Sequence, residues 1–143
     1  MRQTGLLELD AAGKPGAWAA FDPLHLHAAG DERLFLVGDL LGRASPLFGA
    51  YPKSAHMAAR LGRIAADEII ARSRGKMPVQ ALPESVCHLY TDVDPMEAMR
   101  IDAQYRVRGD GLVTQTVRQH EDPQPRGEDL AWAQGLYREM LAP

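Results

Sequence analysis

Pro52-Lys53-Ser54-Ala55-His56-Met57-Ala58-Ala59-Arg60-Leu61-Gly62-Arg63-Ile64-Ala65-Ala66-Asp67-Glu68-Ile69-Ile70-Ala71-Arg72-Ser73-Arg74-Gly75 is the most regular pattern in the chain. Met57, Leu61, Ile64, Ala65 and Ile69 recur at spacings of three and four, so they form one apolar stripe on a helix over about 54–74. Ser54 stands where an N-cap belongs, just after Pro52. Gly75 is placed to stop the helix, and Arg72, Arg74 and Lys76 sit near its negative end, where a solvated cationic end is the simplest reading. Gly62 in the helix interior costs up to ~1 kcal/mol against Ala, which predicts another backbone packed close there.

Outward from this helix, Pro and Gly divide the chain into three zones. In the first, Asp10–Gly16 is a turn cluster, Ala17–Phe21 a short strand ended by Asp22-Pro23, and Leu34-Phe35-Leu36-Val37 a continuous apolar run before Gly38-Asp39. Such a run predicts a buried strand of the kind found in parallel sheets. Beyond the helix, a Pro-bounded linker (Met77–Pro83) leads to a strand at Val86–Thr91. Ile101, Ala103, Tyr105 and Val107 alternate with polar residues, so Met96–Val107 is extended; Gly109-Asp110-Gly111 turns it into a second strand from Leu112 to Arg118. After a Pro-containing loop (Glu121–Gly127), Glu128–Leu141 is a helix with Leu130, Ala133, Tyr137 and Leu141 on one face. The expected class is α+β: a small antiparallel sheet packed by helices, preceded by an incomplete α/β edge.

The 143 residues allow one domain or one and a small half. With 45% hydrophobic and 24% charged residues the composition is that of a globular protein, not a collagen, coiled coil or disordered tail. A net charge of −3 offers no basic field for nucleic acid, and no apolar run is long enough for a membrane span. Glu8 interrupts the N-terminal stretch where a signal peptide would be apolar, which predicts a cytoplasmic location for the chain as written. The lone Cys87 excludes an internal disulfide.

Three places could carry chemistry. Gly38-Asp39 puts a carboxylate at the end of an apolar strand, where ligands of α/β sheets collect and an acid can accept bonds from sugar hydroxyls; alone, the pair is most often a plain turn. Lys53, Ser54 and Ala55 open the long helix, whose N–H groups and positive dipole end favour electron-rich groups; alone, they are most often an ordinary cap. Cys87 adjoins His88 on a strand, so the two side chains point to opposite faces and His88 is a poor base for the thiol; a buried inert thiol is the plain alternative. His25 and His27 alternate on one strand face, but no further ligand stands at metal spacing, so no metal site is expected.

Taken in order, Leu34–Asp39, Tyr51–Ala66 and Val86-Cys87-His88 resemble the C-terminal part of the flavoprotein subunit of flavocytochrome c sulfide dehydrogenase, a relative of the sulfide:quinone oxidoreductases. The resemblance runs from about Gly5 to the end and takes in Trp132 and Tyr137 of the last helix. It implies an FAD/NAD-linked reductase C-terminal-domain-like fold. Residues 1–76 would be the end of an FAD-binding domain and 77–143 the flavin-binding and interface-type C-terminal domain.

The resemblance further implies that FAD is the cofactor. Gly38 and Asp39 would lie against its ribityl or phosphate region. Lys53, Ser54 and Ala55 would face the flavin pyrimidine at a helix N-terminus, and Cys87 would be the later cysteine of a redox-active pair above the flavin. A helix N-terminus suits reduced flavin, which carries negative charge near N1 and C2=O. The family is periplasmic and passes electrons from sulfide to a c-type cytochrome subunit. The family's Gly-x-Gly-x-x-Gly diphosphate loop and partner cysteine do not occur in this sequence, so the chain is expected to be a fragment that binds FAD weakly or not at all and is inactive alone.

A second class of function is a non-catalytic dimerisation or docking module derived from such a flavoprotein. In either class Leu40, Leu41, Leu47, Phe48 and Tyr51 would form an unpartnered apolar cluster, and a homodimer through this segment is expected.

Overall fold

The computed structural model describes residues 5–122 and 124–141. Met1–Thr4, the start of the N-terminal stretch, lie outside the described residues, as do Pro123 of the 121–127 loop and the last two positions. Among the described residues two α-helices and seven strands follow in chain order: β1 (Leu7–Leu9), β2 (Pro15–Ala19), β3 (His27–Ala28), β4 (Asp31–Phe35), α1 (Ala55–Ser73), β5 (Glu84–Val93), β6 (Met96–Val107), β7 (Val113–Asp122) and α2 (Glu128–Leu141). The architecture is mixed α and β with small antiparallel sheets, as the composition of elements led us to expect. No helix among the described residues is long and apolar enough to cross a membrane.

The chain forms two compact units. The first is Met1–Pro83 together with the hairpin end Tyr105–Gln115; the second is Glu84–Gln104 together with Thr116–Pro143.

In the first unit, β1 pairs with β2 and β3 with β4, both antiparallel. The apolar run at Leu34–Val37 is therefore not a strand of a parallel sheet. It ends a two-stranded ribbon in which Leu36 is buried and Leu34 is exposed, and Val37 already leads into a single 3-10 turn at Gly38–Leu40. The one parallel element of the unit is an isolated bridge, Ala19 to Leu41. There Gly42 N–H donates to the Ala19 carbonyl at 2.9 Å, while the Glu8 carboxylate lies where a Cβ on Gly42 would stand and accepts from the Arg43 N–H.

Helix α1 buries Met57, Leu61, Ala65 and, unexpectedly, Glu68. The stripe is rotated from the anticipated one: Ile64 is half-buried and Ile69 is 45% exposed. Glu68 displaces the isoleucine because its carboxylate has two partners, Arg72 at 2.7 Å and His25 Nδ1 at 3.0 Å. Arg72 is accordingly not a solvated end. It also donates to the Glu32 carbonyl and lies 5.3 Å from the Phe35 ring centre. Gly62 has open space where a Cβ would stand, so no backbone crosses there.

In the second unit, β5 and β6 pair in register from Glu84–Gln104 to Val93–Met96, interrupted by one bulge near Tyr90, and β7 completes the sheet. Helix α2 contacts β5 through Trp132 against His88, ring centres 5.3 Å apart, and through Asp129, which accepts from the Tyr90 hydroxyl. That bond holds the Asp129 carboxyl below its ordinary range and the Tyr90 phenol above its own. The inward side of α2 is thus the Asp129–Trp132–Leu136 line; of the expected Leu130, Ala133, Tyr137 and Leu141 face only Ala133 is half-buried and the other three are exposed.

The rotated stripe has a measurable consequence. Leu61→Ala is expected to destabilise the chain by about 2–5 kcal/mol and Ile69→Ala by less than ~1 kcal/mol in urea unfolding. Equal losses would restore the register deduced from spacing alone.

Candidate functional site

The first unit gathers most of the sequence-derived candidates at the entrance of α1. Gly38 adopts φ 71°, and a Cβ there would stand 3.3 Å from the Ala58 Cβ. Glycine lets the Gly38-Asp39 turn both reverse and press against the first turns of the helix. Lys53 closes the arrangement. Its ammonium donates to the carbonyl oxygens of Asp39, at 2.9 Å, and of Leu41, and lies 4.3 Å from the centre of the Trp18 ring. The ammonium of Lys53 is therefore spent within the chain, staple-like, while the Asp39 carboxylate is exposed and makes no hydrogen bond or ion pair among the described residues.

Ser54 has the extended backbone of an N-cap, φ −142° and ψ 154°, and its carbonyl accepts the first helical bond from Ala58. Its hydroxyl does not cap the helix. It lies 3.3 Å from His56 Nδ1 instead, so the expected side-chain cap is absent. The first N–H groups of any α-helix have no partner within the helix, and here Ser54 supplies none from its side chain.

Directly before this entrance, Tyr51 is 4% exposed and its hydroxyl has no hydrogen-bond partner among the described residues. Tyr51 packs edge-on against Tyr105, ring centres 4.8 Å apart, with Phe48 and Phe21 on other sides. Burial, with the nearby Tyr105 phenol, pushes the Tyr51 phenol far above its ordinary range. Tyr105 is also raised by burial, opposed by Gln115, whose amide donates to its hydroxyl at 3.0 Å. Sequence reasoning missed this pair. Its members are fifty-four positions apart, and only the tyrosine next to a helix start was a local signal.

The same packing overturns the expected self-association surface. Leu41 and Tyr51 are among the most buried side chains, Phe48 joins the Tyr51–Tyr105 cluster, and only Leu47 of that group is exposed.

Cys87 belongs to the second unit. It is half-buried on β5 opposite Ile101, with its sulfur 3.8 Å from the His88 carbonyl. His88 points the other way, toward Trp132. A hollow of about 280 Å³ on this unit is lined by Arg100, Asp102, Thr116 and Arg118, and Asp102 is held by Arg100 at 2.9 Å and by His120 at 3.4 Å.

His25 and His27 do not alternate along a strand. His25 lies in the turn before β3, and Leu26 between them is left-handed at φ 57°. Both Nδ1 atoms are engaged, by Glu68 and by the Ala28 carbonyl, each at 3.0 Å. Among the described residues no group of three or more His, Cys, Asp or Glu is placed to hold a metal.

No family model matches the chain, and no curated protein matches it either. Geometry alone must then test the flavin expectation. An unpaired carboxylate on Asp39, a close-packed Gly38 and a helix entrance without a side-chain cap fit the ribityl and pyrimidine side of such a group. Nothing among these residues forms a cradle for its diphosphate.

The orphaned phenol makes a direct prediction. Tyr51→Phe removes an unsatisfied buried hydroxyl while keeping the ring, so the urea midpoint should stay level or rise, by up to ~1 kcal/mol in stability. A clear loss would show that the hydroxyl has a partner.

Proposed function

We propose that the chain is the C-terminal portion of an FAD-dependent, sulfide dehydrogenase-like flavoprotein, with an FAD/NAD-linked reductase C-terminal-domain-like fold. The observation that supports it is the packing of Gly38-Asp39 onto the opening turns of α1, locked by Lys53. This sets a free carboxylate beside a helix entrance, two features that a flavin's ribityl hydroxyls and electron-rich pyrimidine would use together.

In this reading Asp39 accepts from a ribityl hydroxyl. Gly38 lets the turn that carries Asp39 pack against Ala58, and Ser54 and Ala55 present N–H groups to the pyrimidine edge. Lys53 acts indirectly by fixing the turn that carries Asp39. When bound, the flavin would accept two electrons from sulfide and release them to a c-type cytochrome. Cys87 would be half of a disulfide whose S–S bond breaks as sulfide adds to it, leaving the added sulfur as a persulfide and the other cysteine as a thiolate, the pair giving its two electrons to the flavin. Its partner cysteine would have to come from outside this sequence, since Cys87 is the only cysteine here.

The docking-module reading has one observation in its favour, the exposed Leu130, Tyr137 and Leu141 on α2. Colour separates the two, because a flavin-binding chain purifies or reconstitutes yellow.

A titration followed by flavin fluorescence tests the proposal. Riboflavin and FAD should bind with similar, weak affinity, because the contacts named here are to the ring and ribityl parts they share. Asp39→Ala should weaken both about tenfold, the worth of one hydrogen bond to a charged group. Absence of binding by either ligand at millimolar concentration, or an Asp39→Ala chain that binds like the parent, would sink the reading.

A further inference from the structure

Two exposed apolar features of the chain carry opposite charge. The C-terminal half of α1 and the linker after it form an apolar groove of about 390 Å³. Ile64, Ile70, Met77 and Val79 line it, with Met77 and Val79 each 90% exposed. Arg74 and Lys76 also line it, neither ion-paired among the described residues, against a single acid, Asp67. The tip of the β5–β6 hairpin is the counterpart. Val93 and Met96 stand 78% and 51% exposed there, between Asp92, Asp94 and Glu97. Glu121 and Asp122 of β7 border the same hollow as Glu97. None of these five acids is ion-paired among the described residues.

An exposed apolar pair ringed by unpaired acids is costly in water alone. Against an apolar groove with two unpaired cations, both terms become favourable: apolar area leaves water, and opposite charges meet. We propose that the groove of one copy takes the β5–β6 tip of a second copy of this chain. The contact joins two different patches, so it is head-to-tail unless the second pair closes around a two-fold axis. The patch is small, so the association is weak and sensitive to salt. This contact does not depend on flavin binding, and it replaces the Leu40–Tyr51 segment as the self-association surface.

Sedimentation velocity of the full chain tests it. At low ionic strength the sedimentation coefficient should rise reversibly from ~10 to ~300 µM, and ~0.5 M salt should shift that rise about tenfold higher in concentration. The double variant Arg74→Glu/Lys76→Glu and the triple variant Asp92→Lys/Asp94→Lys/Glu97→Lys should each stay monomeric. Their equimolar mixture should associate again, because each then offers the other a complementary patch. A merely destabilising substitution would not be rescued in this way. A parent chain that stays monomeric overturns the proposal. So does association that strengthens with salt, which would point to the apolar face of α2, and so does a mixture that remains monomeric.

Discussion

The buried carboxylate of Glu68 sets the terms for the first unit. A carboxyl group at 6% exposure is tolerable only with polar partners, and Glu68 has Arg72 one turn further along α1 and His25 from the turn before β3. The pair is worth more as a constraint than as an energy. Arg72 reaches onward to the Glu32 carbonyl and the Phe35 ring, so one acid ties both the turn before β3 and the strand β4 to the helix.

The opposite end of α1 is held by different means. There the contacts are backbone ones, with Lys53 on two carbonyls and Gly38 against Ala58. A helix fixed at its far end by charge and at its entrance by shape can present that entrance rigidly. This is what a ligand site on a helix N-terminus requires, since misplacement there loses alignment with the dipole. The left-handed Leu26, fully inside the unit, shows how firmly the surroundings dictate the backbone in the turn that delivers His25.

Local periodicity revealed the elements. The long helix over 54–74 settles at Ala55–Ser73, the strand Met96–Val107 and the helix Glu128–Leu141 have the bounds deduced from spacing, and the Gly109–Gly111 turn joins two strands. These features depend on neighbours within four residues, or on a turn of a few. What spacing could not reveal depends on distant partners. Glu68 is not part of the apolar stripe that spacing picks out; its burial rests on Arg72 one turn on and on His25, forty-three positions away. In α2, Leu130, Tyr137 and Leu141 are the more hydrophobic line, but Asp129 and Trp132 have mates on β5 and decide the rotation. For the candidate site, Lys53, Ser54 and Ala55 were legible as a helix start and Gly38-Asp39 as the end of an apolar run; that the two meet at Ala58 was not. The stapling task of Lys53 and the orphaned Tyr51 hydroxyl were not, because each is defined by what lies opposite in space.

Trp18 stands beneath the Lys53 ammonium, and Trp132 stands in the other unit. With only these two indoles in the chain, the molecule carries one optical reporter per unit. A positive charge over an indole face perturbs its emission, so light from Trp18 senses whether the staple at the entrance of α1 is closed. Removing Trp132 leaves that signal isolated, and the state of the turn bearing Asp39 becomes visible in solution without any added label.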